Sequence, residues 1–191
     1  MRRRLFFLVP IIGLVLYGAA VASPATAKTT APAGRNCVAR ALPAGSSQRP
    51  VAKCYATFSR AILAATSGRV HLPASARPGS VSLDKINAAA ATPATTFVIS
   101  IDWVNSNFGG STLTWTESSK CGSFSARSMP SGWNDVISSV EAFSGCANTL
   151  YKNNNFGTPA FNIVVNGSVG SLGSFNDVTS SQKWCRTFPC G

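Results

Sequence analysis

Residues 97–191 predict an all-β fold, an antiparallel sandwich of two sheets. Short segments of alternating apolar and polar residues follow one another here, and clusters of Gly and Asn separate them. Residues 97–103 begin the first such strand, and residues 111–116 alternate as its hairpin partner. Short strands with frequent turn signals and almost no helical period are typical of a sandwich. The remaining strand patterns cover residues 136–143, 149–151 and 161–165.

One helix is predicted before that domain. Residues 54–67 place four apolar side chains on one face of a helix, and Gly68 stands where that helix would end. The flanking sequence is rich in Ala, Pro, Ser and Thr, so residues 28–50 are predicted as loop and residues 71–96 as linker. Residues 28–96 are therefore expected to form a mostly irregular extension. The helix face consists of Tyr55, Phe58, Ile62 and Ala65.

The first 27 residues have the pattern of a secretory signal peptide. A basic start precedes an apolar run over residues 5–22, and small-x-small cleavage sites lie at residues 20–22 and 25–27. The alternative is a retained anchor helix, because the run approaches the length that spans a bilayer. One proline and two glycines within the run weaken that alternative. We expect a cleaved signal, a secreted protein and no membrane span after cleavage.

Six cysteines in an exported chain predict disulfides rather than a metal–thiolate site. The sequence has no CxxC pair and a single histidine, too few ligands for a Cys/His zinc site. Six cysteines allow many pairings, and pairing between neighbours along the chain is the expectation. The expected bonds are Cys37–Cys54, Cys121–Cys146 and Cys185–Cys190.

The positive charge of the chain lies in its N-terminal part. The sequence has 17 Lys and Arg against 6 Asp and Glu, a net charge of +11. Nine basic residues and one acid lie within residues 28–96, whereas five basic and five acidic residues balance from Phe97 onward. A basic segment can adhere to an anionic cell surface by long-range attraction, or it can be a solvated extension. Nucleic-acid binding is not expected, because no stacking aromatics are interleaved with these charges.

A six-residue pattern, Asn-Asp-x-x-Ser-Ser, occurs twice. The copies are residues 134–139 and 176–181, and each follows a segment that begins with an aromatic residue and contains Phe followed by Gly. A repeat of this kind indicates one supersecondary unit used twice. Carboxylate, hydroxyl and carbonyl oxygens are the ligands that Ca²⁺ prefers. The alternative is that these Asn, Asp and Ser residues only stabilise turns.

The two segments resemble the Greek-key motifs of the βγ-crystallin superfamily over roughly residues 97–184. In that family a motif begins with an aromatic residue, four residues, Phe, any residue and Gly, and its later half reads [Asn/Asp][Asn/Asp]xx[Ser/Thr]Ser. Residues 103–110 match the first pattern, whereas residues 151–158 have their Gly one position early. Both copies of the second pattern match. The resemblance implies a Greek-key sandwich, and it extends to secreted bacterial members classed with peptidase inhibitors or killer toxins.

The resemblance also implies two Ca²⁺ sites that are each shared between the motifs. In each site a hairpin carbonyl and the aspartate of one motif meet a carbonyl and the serine of the other. One site would use the Ser106 carbonyl, the Asp135 side chain, the Val178 carbonyl and the Ser180 hydroxyl. Its mate would use the Asn154 carbonyl, the Asp177 side chain, the Val136 carbonyl and the Ser138 hydroxyl. With one carboxylate each, the expected dissociation constants are on the order of 10⁻⁵ to 10⁻³ M.

Catalysis is not expected. His71 is the only histidine, and it lies in the Pro-rich segment outside the repeats, so no base is available there for a Ser-His or Cys-His nucleophile. Glu117 and Glu141 are the only glutamates that could form a hydrolytic carboxylate pair. Isolated surface glutamates are the ordinary alternative. The four tryptophans are expected in core and corner positions rather than on a sugar-stacking face.

The sequence therefore predicts a secreted, monomeric, non-catalytic calcium-binding protein whose fold is stabilised by Ca²⁺. The alternative, which rests on the resemblance, is a peptidase-inhibitor-like or antimicrobial, killer-toxin-like module that contacts a protease or an anionic cell surface.

Overall fold

The computed structural model describes residues 34–78, 86 and 96–190. The predicted signal peptide and most of the predicted linker lie outside the described residues. The first strands are β1 (Asn36–Arg40), β2 (Leu42–Pro43), β3 (Ala52–Tyr55), β4 (Phe97–Asn105) and β5 (Gly109–Glu117). The others are β6 (Phe124–Ala126), β7 (Ser139–Ala142), β8 (Ala147–Asn153), β9 (Gly157–Ile163), β10 (Ser168–Val169) and β11 (Ser181–Cys185). Helix α1 spans Phe58–Ala65, and two 3₁₀ turns span Asn154–Phe156 and Gly173–Phe175.

The strands form two packed sheets. The first sheet has the order β10-β7-β4-β5-β1-β3, and the second has the order β2-β6-β11-β8-β9. Within each repeat, a hairpin (β4–β5 or β8–β9) pairs with the fourth strand of that repeat (β7 or β11). The third strand crosses to the opposite sheet, where β6 pairs with β11 and β10 pairs with β7. The predicted all-β sandwich, preceded by an N-terminal helix, is confirmed for the described residues.

The N-terminal extension contributes strands to both sheets, which the sequence did not predict. β1 lies parallel to β5, β3 pairs with β1, and β2 joins the second sheet beside β6. The loop predicted for residues 28–50 is therefore wrong over residues 36–43, and the sheets begin well before residue 97. Cys37 and Ala39 are buried in β1. The apolar pattern of residues 36–40 is too short to outweigh the loop-like composition of the segment. Strand β1 forms by pairing with residues that are distant in sequence.

Helix α1 is shorter than predicted, because residues 54–55 pair with β1 as part of β3 instead of starting the helix. Thr57 is the N-cap, and its hydroxyl accepts a hydrogen bond from a backbone N–H of the first turn. Gly68 follows the helix with a φ of +82°, a conformation that favours glycine after a helix end. The predicted apolar face is correct for Phe58, Ile62 and Ala65, which are all buried.

Two apolar layers stabilise the molecule. One fills the space between the sheets and contains the buried indoles of Trp115, Trp133 and Trp184. The other lies outside the first sheet, where helix α1 packs on Ile101 and Trp103 of β4. Seven of the nine residues of β4 are buried, because this strand faces an apolar layer on each side.

The six cysteines form the three predicted disulfides. They are Cys37–Cys54, Cys121–Cys146 and Cys185–Cys190. The first joins β1 to β3, the second connects the segments that precede β6 and β8, and the third ties the C-terminal residues to β11. No helix in the described part of the chain is long and apolar enough to cross a membrane.

Candidate metal centre

The two Asn-Asp-x-x-Ser-Ser segments lie against each other in a reciprocal arrangement. The Asp135 N–H donates to the Thr179 carbonyl, and the Asp177 N–H donates to the Ile137 carbonyl, both at 3.0 Å. The two bonds relate the segments by an approximate two-fold axis. As a result, the aspartate of each copy stands beside the serine of the other copy.

The first crossed pair consists of Asp135 and Ser180. The Ser180 hydroxyl donates to Asp135 Oδ1 at 2.9 Å across 45 positions of sequence. The second carboxylate oxygen, Oδ2, accepts from the Asn134 side-chain amide at 2.7 Å. The φ of Asp135 is 57°, in the left-handed region that Asp and Asn tolerate better than other side chains. The backbone therefore turns this carboxylate toward the opposite repeat.

The second crossed pair consists of Asp177 and Ser138. The Ser138 oxygen lies 3.3 Å from Asp177 Oδ1, and Asp177 has a φ of 55°. The same hydroxyl lies only 2.7 Å from the Val104 carbonyl. A serine hydroxyl has one proton, and we assign it to the Val104 carbonyl because that contact is the shorter of the two. The lone pairs of the Ser138 oxygen therefore face the Asp177 carboxylate, an arrangement that a cation between them would stabilise.

The oxygen spacing in both pairs fits a calcium ion. Two ligands that each lie about 2.4 Å from one Ca²⁺ ion, as neighbours in its coordination shell, are about 2.8–3.4 Å apart. The oxygen separations of 2.9 Å and 3.3 Å lie within that interval. Among the described residues, no three His, Cys, Asp or Glu side chains come together. A cation here would therefore depend on hydroxyl, carbonyl and water oxygens beside a single carboxylate.

The hairpin carbonyls are distributed differently from the predicted sets. The Ser138 N–H donates to the Trp103 carbonyl at 2.8 Å, so the hairpin that contains Ser106 lies beside Ser138 and not beside Ser180. The Ser180 N–H donates to the Tyr151 carbonyl at 2.8 Å, which brings the hairpin of Asn154 to the other pair. The reason is that each fourth strand pairs with the first strand of its own repeat. Only the aspartates reach across.

The two predicted carbonyl donors of the later motif, Val136 and Val178, follow the aspartates directly. The reciprocal hydrogen bonds place these two residues opposite each other, next to both crossed pairs. Val136 is buried, and Val178 packs against the apolar layer between the sheets. Their side chains hold the two segments in place, while their backbone lies between the two candidate sites.

The final serine of each motif has a role that the sequence did not reveal. The Ser139 hydroxyl donates to the Asn105 carbonyl at 2.7 Å and accepts from the Phe108 N–H at 3.1 Å. Ser181 repeats both bonds on the second hairpin, at 2.6 Å and 3.0 Å. Both serines are fully buried. These residues pin the hairpin corners, and the only signal for them is the identity of the sixth residue in the two copies.

The second hairpin keeps the conformation of the first although its glycine stands one position early. Residues 107–108 have φ values of 57° and 59°, and residues 155–156 have values of 57° and 64°. In the first hairpin, Gly110 has a positive φ, and a Cβ there would lie 2.6 Å from a neighbouring side chain. In the second, a Cβ on Gly157 would lie 2.7 Å from Asn153. Gly157 is therefore favoured at its own position, because a side chain there would clash with Asn153.

Two buried carboxyls lie away from the candidate metal centre. Burial raises the pKa of Asp102 to about 7, although hydrogen bonds from Trp115 Nε1 and Gln182 Nε2 to its Oδ2 oppose the rise. The other oxygen, Oδ1, is buried without a hydrogen-bond partner among the described residues. Burial also raises the pKa of Glu141 to about 7. Asp102 points toward the second sheet from β4.

The two glutamates do not come together as a hydrolytic pair. Glu117 pairs with Phe97 on β4, whereas Glu141 pairs with Ile101 on the other side of that strand. Two strand spacings and four residues of β4 separate them by on the order of 15 Å. Hydrolytic carboxylate pairs are about 5–10 Å apart. Glu117 instead pairs with Arg40 at 3.4 Å.

Comparison with solved structures identifies domains similar to this chain. A βγ-crystallin domain from Clostridium beijerinckii is 20% identical, with 47% of this chain and 99% of that chain covered and a TM-score of 0.35. The predicted resemblance to βγ-crystallin domains is confirmed. A βγ-crystallin domain from Flavobacterium johnsoniae is 21% identical, with 45% and 92% covered and a TM-score of 0.32. The N-terminal domain of Protein S is also 21% identical, with 45% and 93% covered and a TM-score of 0.35.

No family model and no curated protein matches the chain. At the identities and TM-scores of the structural matches, the βγ-crystallin likeness carries no argument about function. The case for a function therefore depends on the oxygens of the two crossed pairs.

Proposed function

We propose that this chain is a secreted, non-catalytic calcium-binding protein in which Ca²⁺ stabilises the fold by joining its two repeats. The observation that carries the proposal is the pair of crossed contacts, Asp135 with Ser180 and Asp177 with Ser138. The partners are 45 and 39 positions apart in sequence. They come together only in the folded protein, so an ion bound by both partners stabilises the native state alone.

Each proposed site combines one carboxylate with neutral oxygens. Asp135 and Ser180 would hold one ion together with the Asn154 carbonyl, and Asp177 and Ser138 would hold the other together with the Ser106 carbonyl. The backbone carbonyls of Val136 and Val178 lie between the sites, and water completes the shells. The bound ion would supply positive charge that offsets the carboxylate beside it. A single carboxylate favours dissociation constants of about 10⁻⁵ to 10⁻³ M, typical of extracellular calcium modules.

Export is supported by the disulfides. All the cysteines of the described residues are paired, and none is free. Disulfides of this kind persist in oxidising compartments and are rare where thiols are kept reduced. A secreted protein also meets millimolar Ca²⁺, which matches sites of modest affinity.

Thermal unfolding of the mature protein with Ca²⁺, with Mg²⁺ and with chelator tests the proposal. A ligand at a hundredfold excess over its dissociation constant stabilises the native state by about 2.7 kcal/mol. Millimolar Ca²⁺ should therefore raise the melting temperature by several degrees. Mg²⁺ should do less, because it requires a tighter octahedral shell. An unchanged melting temperature at 10⁻² M Ca²⁺, well above the proposed range, would refute the proposal.

Paired substitutions test the crossed wiring. Asp135→Ala and Ser180→Ala should remove the same part of the Ca²⁺-induced shift, so their effects should not add. Asp135→Ala and Ser138→Ala are close in sequence, but they should affect different sites and add. Glu117→Gln is the matched control for loss of a carboxylate, and the Ca²⁺-induced shift should be the same as in the wild type. Additive effects of Asp135→Ala and Ser180→Ala would show that the two residues do not share an ion.

A further inference from the structure

A cavity of about 260 Å³ opens on the outer face of the second sheet, beneath the loop that follows β2. None of the proposed calcium ligands lines it, although Phe156 belongs to the same 3₁₀ turn as Asn154. This volume is below the roughly 300–1,000 Å³ of pockets for drug-sized ligands. The cavity therefore has room for one small ring and its substituent. The side chains that define it chemically are Phe124, Ser125, Arg127, Phe156, Lys183 and the Cys185–Cys190 disulfide.

A buried hydroxyl without a partner lines this cavity. Ser125 is 2% exposed, and its Oγ makes no hydrogen bond within the described part of the chain. Ser125 stands directly opposite Lys183 in the pairing of β6 with β11, so both side chains project from the same face of the sheet. A buried hydroxyl with no partner costs about 1–3 kcal/mol. A ligand with an acceptor oxygen in the cavity would recover part of that cost.

Two cations flank the aromatic wall of the cavity. Lys183 Nζ lies 4.7 Å from the centroid of the Phe156 ring, and Arg127 Cζ lies 5.5 Å from the same centroid. These contacts hold both positive charges at one side of the pocket. The five strands of the second sheet contain no Asp or Glu. In the described strands the acids are Asp102, Glu117 and Glu141, which all belong to the first sheet.

We propose that this cavity binds a small carboxylate that carries one apolar ring. The carboxylate pairs with Lys183 and Arg127 and accepts a hydrogen bond from the Ser125 hydroxyl. The ring lies against the Cys185–Cys190 disulfide, where a polar ring would lose its hydration without new partners. Such a ligand is either a free aromatic acid or the C-terminal aromatic residue of a peptide. Both present the same chemistry to the pocket.

Titration of the mature ¹⁵N-labelled protein, followed by NMR, tests the proposal in the presence of chelator. The probes are phenylacetate for the free acid and N-acetylphenylalanine for the peptide terminus. At least one should shift the amide resonances of β6 and β11 with a dissociation constant in the millimolar range, as expected for so small a ligand. Phenylacetamide, which has the same shape without the charge, should bind at least about tenfold more weakly. The probe that binds more tightly identifies the source of the carboxylate.

Substitutions assign the binding to the cavity. Lys183→Met should weaken binding about tenfold, and Ser125→Ala should weaken it about fivefold. Lys152→Met removes the same charge from an exposed position on β8 and should leave binding unchanged. Asp135→Ala should also leave it unchanged, which separates this proposal from the calcium sites. The proposal is overturned if neither acid binds, if the amide binds as well as the acid, or if Lys152→Met matches Lys183→Met.

Discussion

The two repeats carry the same aromatic corner, but the chain covers the two corners differently. In the first repeat, Trp103 and Phe108 meet edge to face with ring centroids 5.0 Å apart, beneath the apolar layer formed by helix α1. In the second repeat, Tyr151 and Phe156 meet in the same way at 5.5 Å. No helix of the described residues covers this corner. Two cations and the C-terminal disulfide surround it instead.

The difference shows how one supersecondary unit serves two purposes. The N-terminal extension completes the first sheet and packs helix α1 against its outer face, so that face contributes stability. The outer face of the second sheet keeps polar and charged side chains around a cavity. Between the two faces, the crossed Asp–Ser pairs lie near the two-fold axis and belong equally to both repeats. The site for a small carboxylate is therefore expected on the outer face of the second sheet, and the metal sites are expected in the symmetric centre.

The largest expected effect comes from truncating a phenylalanine on each outer face. Phe58→Ala, in helix α1, should destabilise the protein by about 3–5 kcal/mol because Phe58 is 3% exposed and packs in the apolar layer. Phe156→Ala should cost less than about 2 kcal/mol, because the ring is only half-buried and leaves a smaller cavity. Chemical denaturation measures both. Equal losses would show that the two outer faces contribute equally to stability, and the proposed difference between them would be wrong.

The next effect concerns a buried carboxyl group, Asp102, at a position where the second repeat has an apolar side chain. Asp102 occupies the position that Leu150 occupies in the second repeat, counted from the aromatic residue of each corner. Burial raises the pKa of Asp102 to about 7, whereas an unfolded Asp titrates near pH 4. Between these values the folded protein binds more protons than the unfolded chain. Stability should therefore fall by up to a few kcal/mol as pH rises from about 4 to about 7, and then level off.

Asp102→Asn keeps the acceptor for Trp115 and Gln182 but does not ionise, so it should reduce the loss of stability between pH 4 and 7. Glu141→Gln should reduce it further, because burial raises the pKa of Glu141 in the same direction. Denaturation midpoints measured at several pH values, in the presence of chelator, test both variants. A wild-type midpoint that rises from pH 4 to pH 7 would contradict the buried neutral carboxyl.

Features that depend on neighbours in sequence were predictable. The hairpin of β4 with β5, the apolar face of helix α1 and the disulfide within residues 185–190 each involve short stretches of chain. The resemblance to βγ-crystallin motifs also implied that Asp135 would meet Ser180, and the two side chains are in contact. The approximate two-fold axis brings each aspartate to the other copy, as the reciprocal hydrogen bonds require.

Features that depend on distant pairing were not predictable. Strand β1 forms by pairing in parallel with the edge of β5. Nothing in the sequence of residues 36–40 indicates that partner. The assignment of the Ser106 and Asn154 carbonyls to one site or the other requires knowing which hairpin each serine faces, and that depends on the pairing of β4 with β7 and of β8 with β11. Ser125 has no local signal either. Its burial beside Lys183 follows from the register between β6 and β11.

A smaller effect tests whether the two corners are pinned equally. Ser139→Ala and Ser181→Ala each remove a buried hydroxyl that bonds a hairpin carbonyl and a hairpin N–H. Each variant should cost about 1–3 kcal/mol, because the groups left behind lose their partner. The two losses should agree, since the geometry repeats. If Ser181→Ala were silent while Ser139→Ala destabilised, the second corner would be held by its surrounding cations instead.

The smallest expected effect is a difference between the two calcium sites. The Ser138 proton is already donated to the Val104 carbonyl, so its oxygen faces Asp177 with free lone pairs. Ser180 instead donates its proton to Asp135, and that bond must break before the hydroxyl oxygen and the carboxylate can share an ion. A hydrogen bond is worth about 1 kcal/mol net. The site of Asp177 should therefore bind Ca²⁺ about fivefold more tightly than the site of Asp135.

Calorimetric titration of two single-site variants measures that difference. Asp135→Ala retains the site of Asp177 and should show the lower dissociation constant, whereas Asp177→Ala retains the site of Asp135 and should show the higher one. Asn134→Ala serves as a control that removes the amide bond to Asp135 Oδ2 but keeps all the proposed ligands. It should change the weaker site only. If the site that remains in Asp177→Ala binds Ca²⁺ more tightly, the position of the Ser138 proton does not decide which site has the higher affinity. The Asp135 carboxylate, oriented by the Asn134 amide, would then be the better-organised ligand.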